Sequence, residues 1–574
     1  MHTFTVWAPA ASSVELVLAD GNRRMASREG WWQLEVAEAG HGTDYAFSVD
    51  GSEPLPDPRS PWQPDGVHGF SRVFDADRFT WSDSGWIGRD VRGSVFYELH
   101  IGTFTPEGTL DAAAGHLDHL VALGVEVVSL MPVAAFPGRH GWGYDGVHLY
   151  AVHEPYGGPE ALQRFVNRCH ELELAVCLDV VYNHLGPSGN RLASFGPYFT
   201  DRHTTPWGQA VNLDDTGSTE VRRWICDNAL RWFRSFHVDA LRLDAVHALA
   251  DDSPAHLLAQ LSLETADLSK ELGRPLGLVA ESDLNDPRMV EPVDEGGLGM
   301  TAQWSDDFHH ALHALLTGER AGYYVDFGGP AVFAKTLTQV FLHDGSYSTF
   351  RGQDWGRKVD PARHRGGQFL AYTSNHDQVG NRALGDRPAL TPGQLAIGAA
   401  LVITSPYTPM LFMGEEWGAS TPWRYFTDHE EPELAEAVRT GRRREFAAHG
   451  WDADDIPDPQ DPGTWRGSVL DWSELDESPH RELLAWYRDL LALRARTPDL
   501  HNDRLDSVGI AYDAGGDWLV VTRGRLRIVV NLAAGETVVP VDGVPSYQVM
   551  AFGGTEVVAG GVRLSGHCVG ILTV

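Results

Sequence analysis

The chain has 574 residues, 43% hydrophobic and 22% charged, which is the composition of an ordinary soluble globular protein. This length is too great for one simple core, so about two to four domains are expected. The 45 Lys and Arg residues against 79 Asp and Glu residues give a formal net charge of −34. Such an acidic balance argues against nucleic acid and anionic membranes as partners.

The amino terminus, MHTFTVWAPAASS, has no basic region followed by an apolar stretch, so no signal peptide is predicted. No apolar run approaches the roughly 18 residues of a membrane span. The cysteines lack any CxxC or other metal-ligand spacing, and a disulfide framework is not expected in a chain this large. These features predict a reduced, cytoplasmic protein. The four cysteines are Cys169, Cys177, Cys226 and Cys568.

Residues 1–88 alternate short strand-like stretches with turn signals, which predicts a small immunoglobulin-like β-sandwich. The aromatic faces of Trp31 and Trp32 could form a platform for sugar rings. The alternative that we favour places one ring in the core and the other against the next domain. The predicted strands are residues 4–9, 13–20, 31–39 and 45–51.

From about residue 94, apolar strands alternate with amphipathic helices, a pattern typical of βα units around a parallel sheet. An open doubly wound sheet would require a glycine-rich phosphate loop after the first strand, and residues 101–108 do not form one. The pattern predicts a (β/α)₈ TIM barrel over residues 89–500, with a loop-rich insertion at about 418–480, and a C-terminal β-sandwich over 501–574. The eight predicted strands are residues 94–104, 125–133, 174–184, 237–247, 275–283, 301–307, 368–377 and 408–417.

The fourth predicted strand, HVDALRLDAVH, places Arg242 and Asp244 on one face, because side chains alternate along a strand. Charges in a buried strand are costly unless they are paired. A structural ion pair is one reading of this pattern. The other is a carboxylate that the neighbouring guanidinium holds ionised, so that it can act as a nucleophile.

Three other predicted strands also end in polar residues. Enzymes built on a (β/α)₈ barrel place their active sites at the carboxyl ends of the barrel strands. Several carboxylates with Arg and His suit glycoside hydrolysis, in which one acid attacks and a second donates a proton. Glu281 follows an apolar run, so we expect a raised pKa and the acid/base role. A metal site with two carboxylates is the alternative, but the histidines lack HxH or HExxH spacing. We therefore predict no cofactor and no catalytic metal.

Four segments, LDVVYNH, LRLDAVH, LVAESD and YTSNHD, resemble in order and content the four signature regions of the α-amylase family of glycoside hydrolases. The resemblance covers roughly residues 94–500, and the amino-terminal unit is similar to the carbohydrate-binding-module-like sandwich of branching and debranching members. It implies a retaining mechanism with Asp244 as nucleophile, Glu281 as acid/base, and Asp377 as stabiliser of the transition state. Residues 141–158 resemble the stretch after the second strand, in which Tyr144 would stack against the reacting sugar.

Residues 280–288, 303–327 and 412–429 further resemble the trehalose-releasing members of this family. This resemblance implies hydrolysis of the α-1,4 bond next to the terminal trehalose of malto-oligosyltrehalose, with malto-oligosyltrehalose synthase as pathway partner. A glycogen branching or debranching enzyme is the alternative. A non-catalytic glucan-binding relative is disfavoured because the three acids are retained. The expected substrate-binding residues are Tyr144, His184, Arg242, His247, Asp283, Trp304, Asp306, Asp307, His309, His310 and His376, with Asn285 in the same polar wall.

Overall fold

A computed structural model describes residues 1–447, 455–543 and 547–574 of the protein. Near the amino terminus the chain forms two small antiparallel sheets, as the alternating pattern predicts. Phe4, Val14 and Phe47 are buried in the hydrophobic cluster that joins them. The first sheet contains strands His2–Trp7, Ala26–Arg28 and Trp31–Val36, and the second contains Val14–Leu18, Gly21–Arg24, Asp44–Val49 and Ser71–Arg72.

The two neighbouring tryptophans of this region do not form an open platform. Trp32 is buried and donates a hydrogen bond from Nε1 to the Ala8 carbonyl. Trp31 packs under the guanidinium of Arg59, whose carbon lies 5.6 Å from the ring centre. Arg59 in turn donates to Asp227, so Trp31 lies at the contact with the following part of the chain.

Eight parallel strands close into a barrel, which confirms the predicted fold class. Each strand pairs with the next, and β8 pairs with β1, where Phe412 lies opposite Glu98. All eight are buried along their whole length, and this explains the continuous apolar runs in the sequence. In chain order, β1 to β8 are Phe96–Leu99, Val127–Leu130, Ala175–Val180, Ala240–Leu243, Gly277–Ala280, Ala302–Trp304, Phe369–Ala371 and Thr408–Phe412.

Helices connect the barrel strands and cover them with apolar faces. Helix Gly158–Glu171, for example, buries Ala161, Leu162, Phe165 and Cys169, which recur at helical spacing. The helices outside the 418–480 insertion are Ile101–Phe104, Leu110–Ala114, Leu117–Leu123, Gly158–Glu171, Ser218–Ser235, Leu257–Leu272, Asp306–Thr317, Pro330–Gln339, His376–Gly380, Pro392–Ile403, His480–Arg496 and Pro498–His501. Short hairpins pair Ala134–Ala135 with His148–Val152, Phe199–Thr205 with Gly208–Val211, and Ser346–Ser348 with Gln353–Trp355.

The insertion after β8 is more ordered than the predicted loops. It contains helix Pro432–Ala447 and the single turn Pro462–Arg466. The longer helix begins with proline and is rich in Ala, Glu and Arg, which favour helix without an apolar stripe. Residues 418–480 were predicted to form loops because they are polar and show no apolar stripe. Part of this predicted insertion, residues 448–454, lies outside the described residues.

The carboxyl-terminal part of the chain is again β-structure, as predicted. Strands Val508–Tyr512, Trp518–Arg523, Leu526–Asn531, Tyr547–Phe552 and Cys568–Thr573 form one sheet, and Thr537–Pro540, Thr555–Val558 and Gly561–Leu564 form another. All four cysteines of the chain are buried free thiols. Across the three described ranges, every helix is too short or too polar to cross a membrane.

A buried charge cluster closes the amino-terminal end of the barrel around Asp239, the residue before β4. Its carboxylate lies 2.7 Å from Arg274 Nη1 and 3.0 Å from His170 Nε2, and accepts a hydrogen bond from Trp86 Nε1 at 2.8 Å. The second nitrogen of His170 contacts Asp83 at 2.9 Å. The cluster thus ties the segment that enters the barrel to β4.

We expect Asp239→Ala to lower the melting temperature strongly, because it leaves the guanidinium of Arg274 without its anion and removes one of the two anions beside His170, at a cost of about 3–5 kcal/mol. Differential scanning calorimetry measures the shift. Asp267→Ala, which removes only an exposed pair with Lys270, is the matched control. Equal melting temperatures for the two variants would contradict the stabilising role of the cluster.

Candidate active site

The polar strand ends predicted from the sequence meet at one end of the barrel, around an open cavity of about 820 Å³. β4 ends at Leu243, so Asp244 is the first residue beyond it, and Glu281 holds the same position after β5. Asp377 lies in the first turn of helix His376–Gly380, beyond β7. Because parallel strands end on the same face of a barrel, the three carboxylates line one cavity.

Arg242 lies beneath the cavity with its side chain 2% exposed, and its guanidinium stacks on the Trp304 ring at 4.4 Å. Nη1 is 2.8 Å from both Asp244 Oδ1 and Asp179 Oδ2, and Nη2 is 2.8 Å from Glu281 Oε2. A buried cation requires such partners. One rigid guanidinium therefore fixes the relative positions of Asp244 and Glu281.

The carboxylate of Asp244 accepts hydrogen bonds on both oxygens. Asn183 Nδ2 donates to Oδ2 at 2.8 Å, and Arg242 donates to Oδ1. These donors hold the carboxylate in place, and a carboxylate oxygen is the kind of atom that attacks in covalent catalysis. The next residue, Ala245, has φ of 38°, a left-handed conformation that is unusual for a residue with a side chain. This turn directs its N–H to Glu281 Oε2 at 2.7 Å.

Glu281 has the properties of a proton donor at neutral pH. Burial raises its pKa, and Asp244 and Asp377 raise it further, while Arg242 opposes them; the resulting pKa is about 8. The sequence-based expectation of a raised pKa rested on the apolar residues of β5, and burial is indeed the largest cause. Two neighbouring acids of which one has a raised pKa are typical of sites that combine an acid/base with a nucleophile.

Tyr144 and His376 form the next layer of the site. The Tyr144 hydroxyl donates to Asp179 Oδ2 at 2.8 Å, lies 2.8 Å from His376 Nε2, and its ring stacks on that imidazole at 5.3 Å. The other nitrogen of His376 is 2.7 Å from Glu98 Oε1. Burial lowers the pKa of His376, but Asp377 and Glu98 together outweigh it and raise the pKa to about 9.

His184 and His247 line the same cavity, and their contact with substrate stays a prediction. The His184 ring stacks on Trp207 at 4.3 Å, and its Nε2 contacts the Tyr144 carbonyl at 3.1 Å. His247 is exposed beside Asp283, whose backbone N–H lies 3.4 Å from its Nδ1. Trp207 is half exposed, so an aromatic face is open at this side of the cavity.

The other predicted substrate-binding residues lie along a neighbouring wall and differ in accessibility. Asp283 pairs with Arg351, and these two line a small recess of about 30 Å³ together with Asp306, Asp307 and His310. Tyr372 donates to Asp306, whose pKa burial raises to about 6. Burial and the neighbouring His313 lower the pKa of His310 to about 3.

Three predicted contacts are engaged within the protein. Asp307 accepts from the N–H groups of Leu342 and His343 and from Asn285 Nδ2, so it holds a loop. His309 lies between the Thr373 carbonyl and the Tyr324 hydroxyl. Trp304 is buried under Arg242. The structure does not bring these three side chains to the catalytic cavity.

The list of predicted site residues omitted several groups that the structure places in the site. Two of them, Glu98 and Asp179, carry a sequence signal, because each is a charged residue within a buried barrel strand, whereas most of the others lie in the loops and hairpins beyond the strands. Glu98 in FYELH of β1 is the clearest case, because the argument applied to Arg242 applies equally to it. The residues are Glu98, Trp142, Asp179, Asn183, Trp207, Arg351 and Tyr425.

In the described ranges, one group of side chains has the spacing of a metal site: His203, Asp214 and Asp252. None of these residues lines the catalytic cavity. Arg202 lies 3.8 Å from the Asp214 carboxylate and 3.6 Å from that of Asp252, and already supplies positive charge there. That no catalytic metal is required stays a prediction.

Comparisons with known proteins agree with this geometry. A family profile described as "Alpha amylase, catalytic domain" matches residues 73–194, and one described as "Carbohydrate-binding module 48 (Isoamylase N-terminal domain)" matches residues 1–63. The chain is 52% identical over 572 residues to malto-oligosyltrehalose trehalohydrolase of Arthrobacter ramosus, covering 98% of both chains. It is also 52% identical to the enzyme of that name from Mycobacterium tuberculosis, covering 95% of this chain and 94% of the relative.

A solved structure from Salmonella typhimurium, assigned as an alpha amylase, matches all of this chain and 97% of its own length, with a TM-score of 0.91 and 37% identity. The strand order, the placement of the acids and near full-length similarity to the named relatives point the same way. The chain therefore belongs to the malto-oligosyltrehalose trehalohydrolase family, within the α-amylase group of glycoside hydrolases.

Proposed function

We propose that the protein is a retaining glycoside hydrolase that releases trehalose from malto-oligosyltrehalose by cleaving the adjacent α-1,4 bond. The observation that carries the proposal is the placement of two acids, Asp244 and Glu281, against one buried guanidinium. The names of the full-length relatives supply the substrate class.

In the first step, the Asp244 carboxylate attacks the anomeric carbon of the glucose whose bond to trehalose breaks. Glu281 donates its proton to the departing glycosidic oxygen, so trehalose leaves as a neutral alcohol. In the second step, Glu281 takes a proton from water, the water attacks the same carbon, and Asp244 leaves as a carboxylate. Two inversions return the α configuration.

The spacing of the two acids supports retention. Retaining enzymes require about 5–5.5 Å between their carboxyl groups, whereas inverting enzymes leave room for a water at about 6.5–9.5 Å. Asp244 and Glu281 each lie 2.8 Å from a different nitrogen of Arg242, which favours the shorter class. Asp377, with a side chain 36% exposed, faces the open cavity, where its charge would stabilise the oxocarbenium-like sugar.

Selectivity for trehalose would come from the wall beyond Glu281. There His247, Asp283 and Arg351 present donors and acceptors beside the cavity. A site that hydrogen-bonds several hydroxyl groups leaves polar groups unpaired when the wrong disaccharide enters, at about 1–3 kcal/mol each.

The direct test compares kcat/KM for malto-oligosyltrehalose with that for the maltodextrin of equal length. With two mismatched hydroxyl contacts, we expect the ratio to be roughly thirty to twenty thousand. Equal hydrolysis of both substrates, or transfer of glucan chains to form α-1,6 branches, would instead favour the branching or debranching alternative.

We expect Asp283→Ala to narrow that ratio at least tenfold while hydrolysis of plain maltodextrin persists. The substitution removes an acceptor and frees Arg351 from its ion pair, yet leaves Asp244 and Glu281 untouched. Steady-state kinetics on both substrates measures the ratio. Asp354→Ala, an exposed position on the Arg351 hairpin, is the control, and an unchanged ratio in Asp283→Ala would remove Asp283 from the specificity wall.

We propose that residues 1–88 stabilise the barrel and take no part in catalysis. Arg59 donates to Asp227 and Tyr150, each at 2.9 Å, and Trp224 donates to the Pro58 carbonyl at 2.9 Å. The boundaries of the domains near residues 88 and 500 stay predictions.

We further propose a cytoplasmic location, which suits the four free thiols, and malto-oligosyltrehalose synthase as the enzyme that supplies the substrate.

A further inference from the structure

Glu98 on β1 contacts His376 twice, across 278 residues of sequence. Its Oε2 accepts from the backbone N–H of His376 at 3.0 Å, and its Oε1 lies 2.7 Å from His376 Nδ1. Glu98 is 2% exposed and His376 1% exposed. One carboxylate thus holds both the imidazole and the first turn of helix His376–Gly380, in which the next residue is Asp377.

These contacts give the hydrogen-bond chain a direction. A carboxylate only accepts, so His376 Nδ1 carries a proton toward Glu98. The Tyr144 hydroxyl gives its own hydrogen to Asp179, so its oxygen is free to accept from His376 Nε2 at 2.8 Å. Both ring nitrogens of His376 then carry protons, which makes the ring an imidazolium whose Nε2–H edge faces the side of the cavity.

The surrounding charges favour this state. Asp377 on the same helix and Glu98 from β1 attract a positive ring, and Asp179 from β3 adds to them. Arg242 from β4 and the neutral His100 after β1 oppose it. A buried carboxylate such as Glu98 needs a counterion, and within the described part of the chain both hydrogen bonds of its carboxylate are with His376. The charged groups facing His376 are therefore Glu98, Asp179, Arg242 and Asp377, and the neutral titratable groups are His100 and Tyr144.

We propose that Glu98 is a positioning residue for the reaction: it holds His376 as a charged donor and fixes the turn that aims Asp377 at the reacting sugar. The inference rests on the proposed hydrolase function and adds a residue outside the signature segments. Glu98 does not line the cavity, so it acts only through His376 and Asp377.

Glu98→Gln separates charge from shape. The amide oxygen can still accept from the His376 N–H, but the amide N–H₂ now donates to Nδ1. His376 would then be a neutral ring protonated on Nε2, with its position and its contact to Tyr144 retained. We expect kcat for malto-oligosyltrehalose to fall about 10²-fold with little change in KM, because a neutral ring replaces a charged donor, and the loss of one preorganised donor costs about 10²–10³-fold.

The decisive readout is the ionisation of His376, followed by NMR of the ring carbons and nitrogens in the full-length protein. In the wild type we expect the ring to stay charged up to about pH 9, because Asp377 and Glu98 raise the pKa of His376. In Glu98→Gln we expect the midpoint to fall by at least two pH units. A merely structural role for Glu98 would lower the melting temperature without moving this midpoint, and that result would overturn the proposal.

Glu416→Gln is the matched control, since Glu416 is also a buried glutamate paired with a histidine, His119, at 2.9 Å, but lies outside the cavity. We expect it to leave kcat within about twofold in folded protein. The double variant Glu98→Gln/His376→Gln should be no slower than His376→Gln alone. Glu98 acts through His376, so the effects of the two substitutions on kcat should not add. Additive losses would overturn the proposal. The NMR titration does not depend on substrate, so a wild type that fails to hydrolyse malto-oligosyltrehalose would refute the function without deciding this inference.

Discussion

Asp244→Asn lowers kcat by about 10⁴-fold or more while the protein remains folded, because the covalent step loses its nucleophile. An asparagine keeps the shape of the side chain and can still contact Asn183 and Arg242. KM should change little compared with kcat. Initial rates on malto-oligosyltrehalose, together with the melting temperature, measure the two effects separately.

The smaller variant Asp244→Ala allows a chemical check of the same role. It leaves space where the carboxylate was, so azide can attack the anomeric carbon in its place, with Glu281 still donating the proton. The single inversion gives a β-glycosyl azide. If azide does not restore activity, and the remaining slow reaction still gives the α product, then another residue attacks the anomeric carbon.

Glu281→Gln removes the proton donor, and we expect a loss of about 10²–10⁴-fold on malto-oligosyltrehalose. With maltosyl fluoride, whose leaving group needs no proton, the first step should recover and appear as a burst of fluoride. The second step stays slow, because no base activates the water. Azide should bypass it and give the α-glycosyl azide, the opposite configuration to that of the Asp244→Ala product.

The wild-type pH profile follows from the raised pKa of Glu281. The acid form is the active one, and a pKa of about 8 keeps it protonated at neutral pH. Activity should therefore be lost as the pH rises through about 8, earlier than the deprotonation of His376 at about 9. Maltosyl fluoride needs no proton donor, so its kcat/KM should not fall at this pH. If it falls with the same midpoint as for malto-oligosyltrehalose, the loss of activity at high pH is not the deprotonation of Glu281.

Much of the site could be predicted because strand periodicity and burial act locally. An Arg and an Asp two residues apart in an apolar strand already indicate a pair, and the apolar run before Glu281 already indicates a raised pKa. The carboxyl ends of barrel strands always share one face, so the meeting of Asp244, Glu281 and Asp377 required no further information.

The contacts made by Glu98 and Asp179 could not be predicted in the same way. A charged residue in a buried strand requires a partner, but its sequence neighbourhood does not identify one that lies far along the chain. Helix Asp306–Thr317 shows a second limit. Asp306, Asp307 and His310 line the small recess, but Asp307 also accepts a hydrogen bond from the N–H of Leu342, and His309 instead contacts the Thr373 carbonyl. The sequence shows four polar residues, and only helix geometry separates their directions.

The most direct test of the account is proton NMR of the first minutes of hydrolysis of malto-oligosyltrehalose by the wild-type protein. A single spectrum shows both which bond is cleaved and which configuration the new reducing end has. The account predicts trehalose in equal amount to a malto-oligosaccharide whose new reducing end is at first the α-anomer. Release of glucose or maltose without trehalose, or initial appearance of the β-anomer, would contradict it.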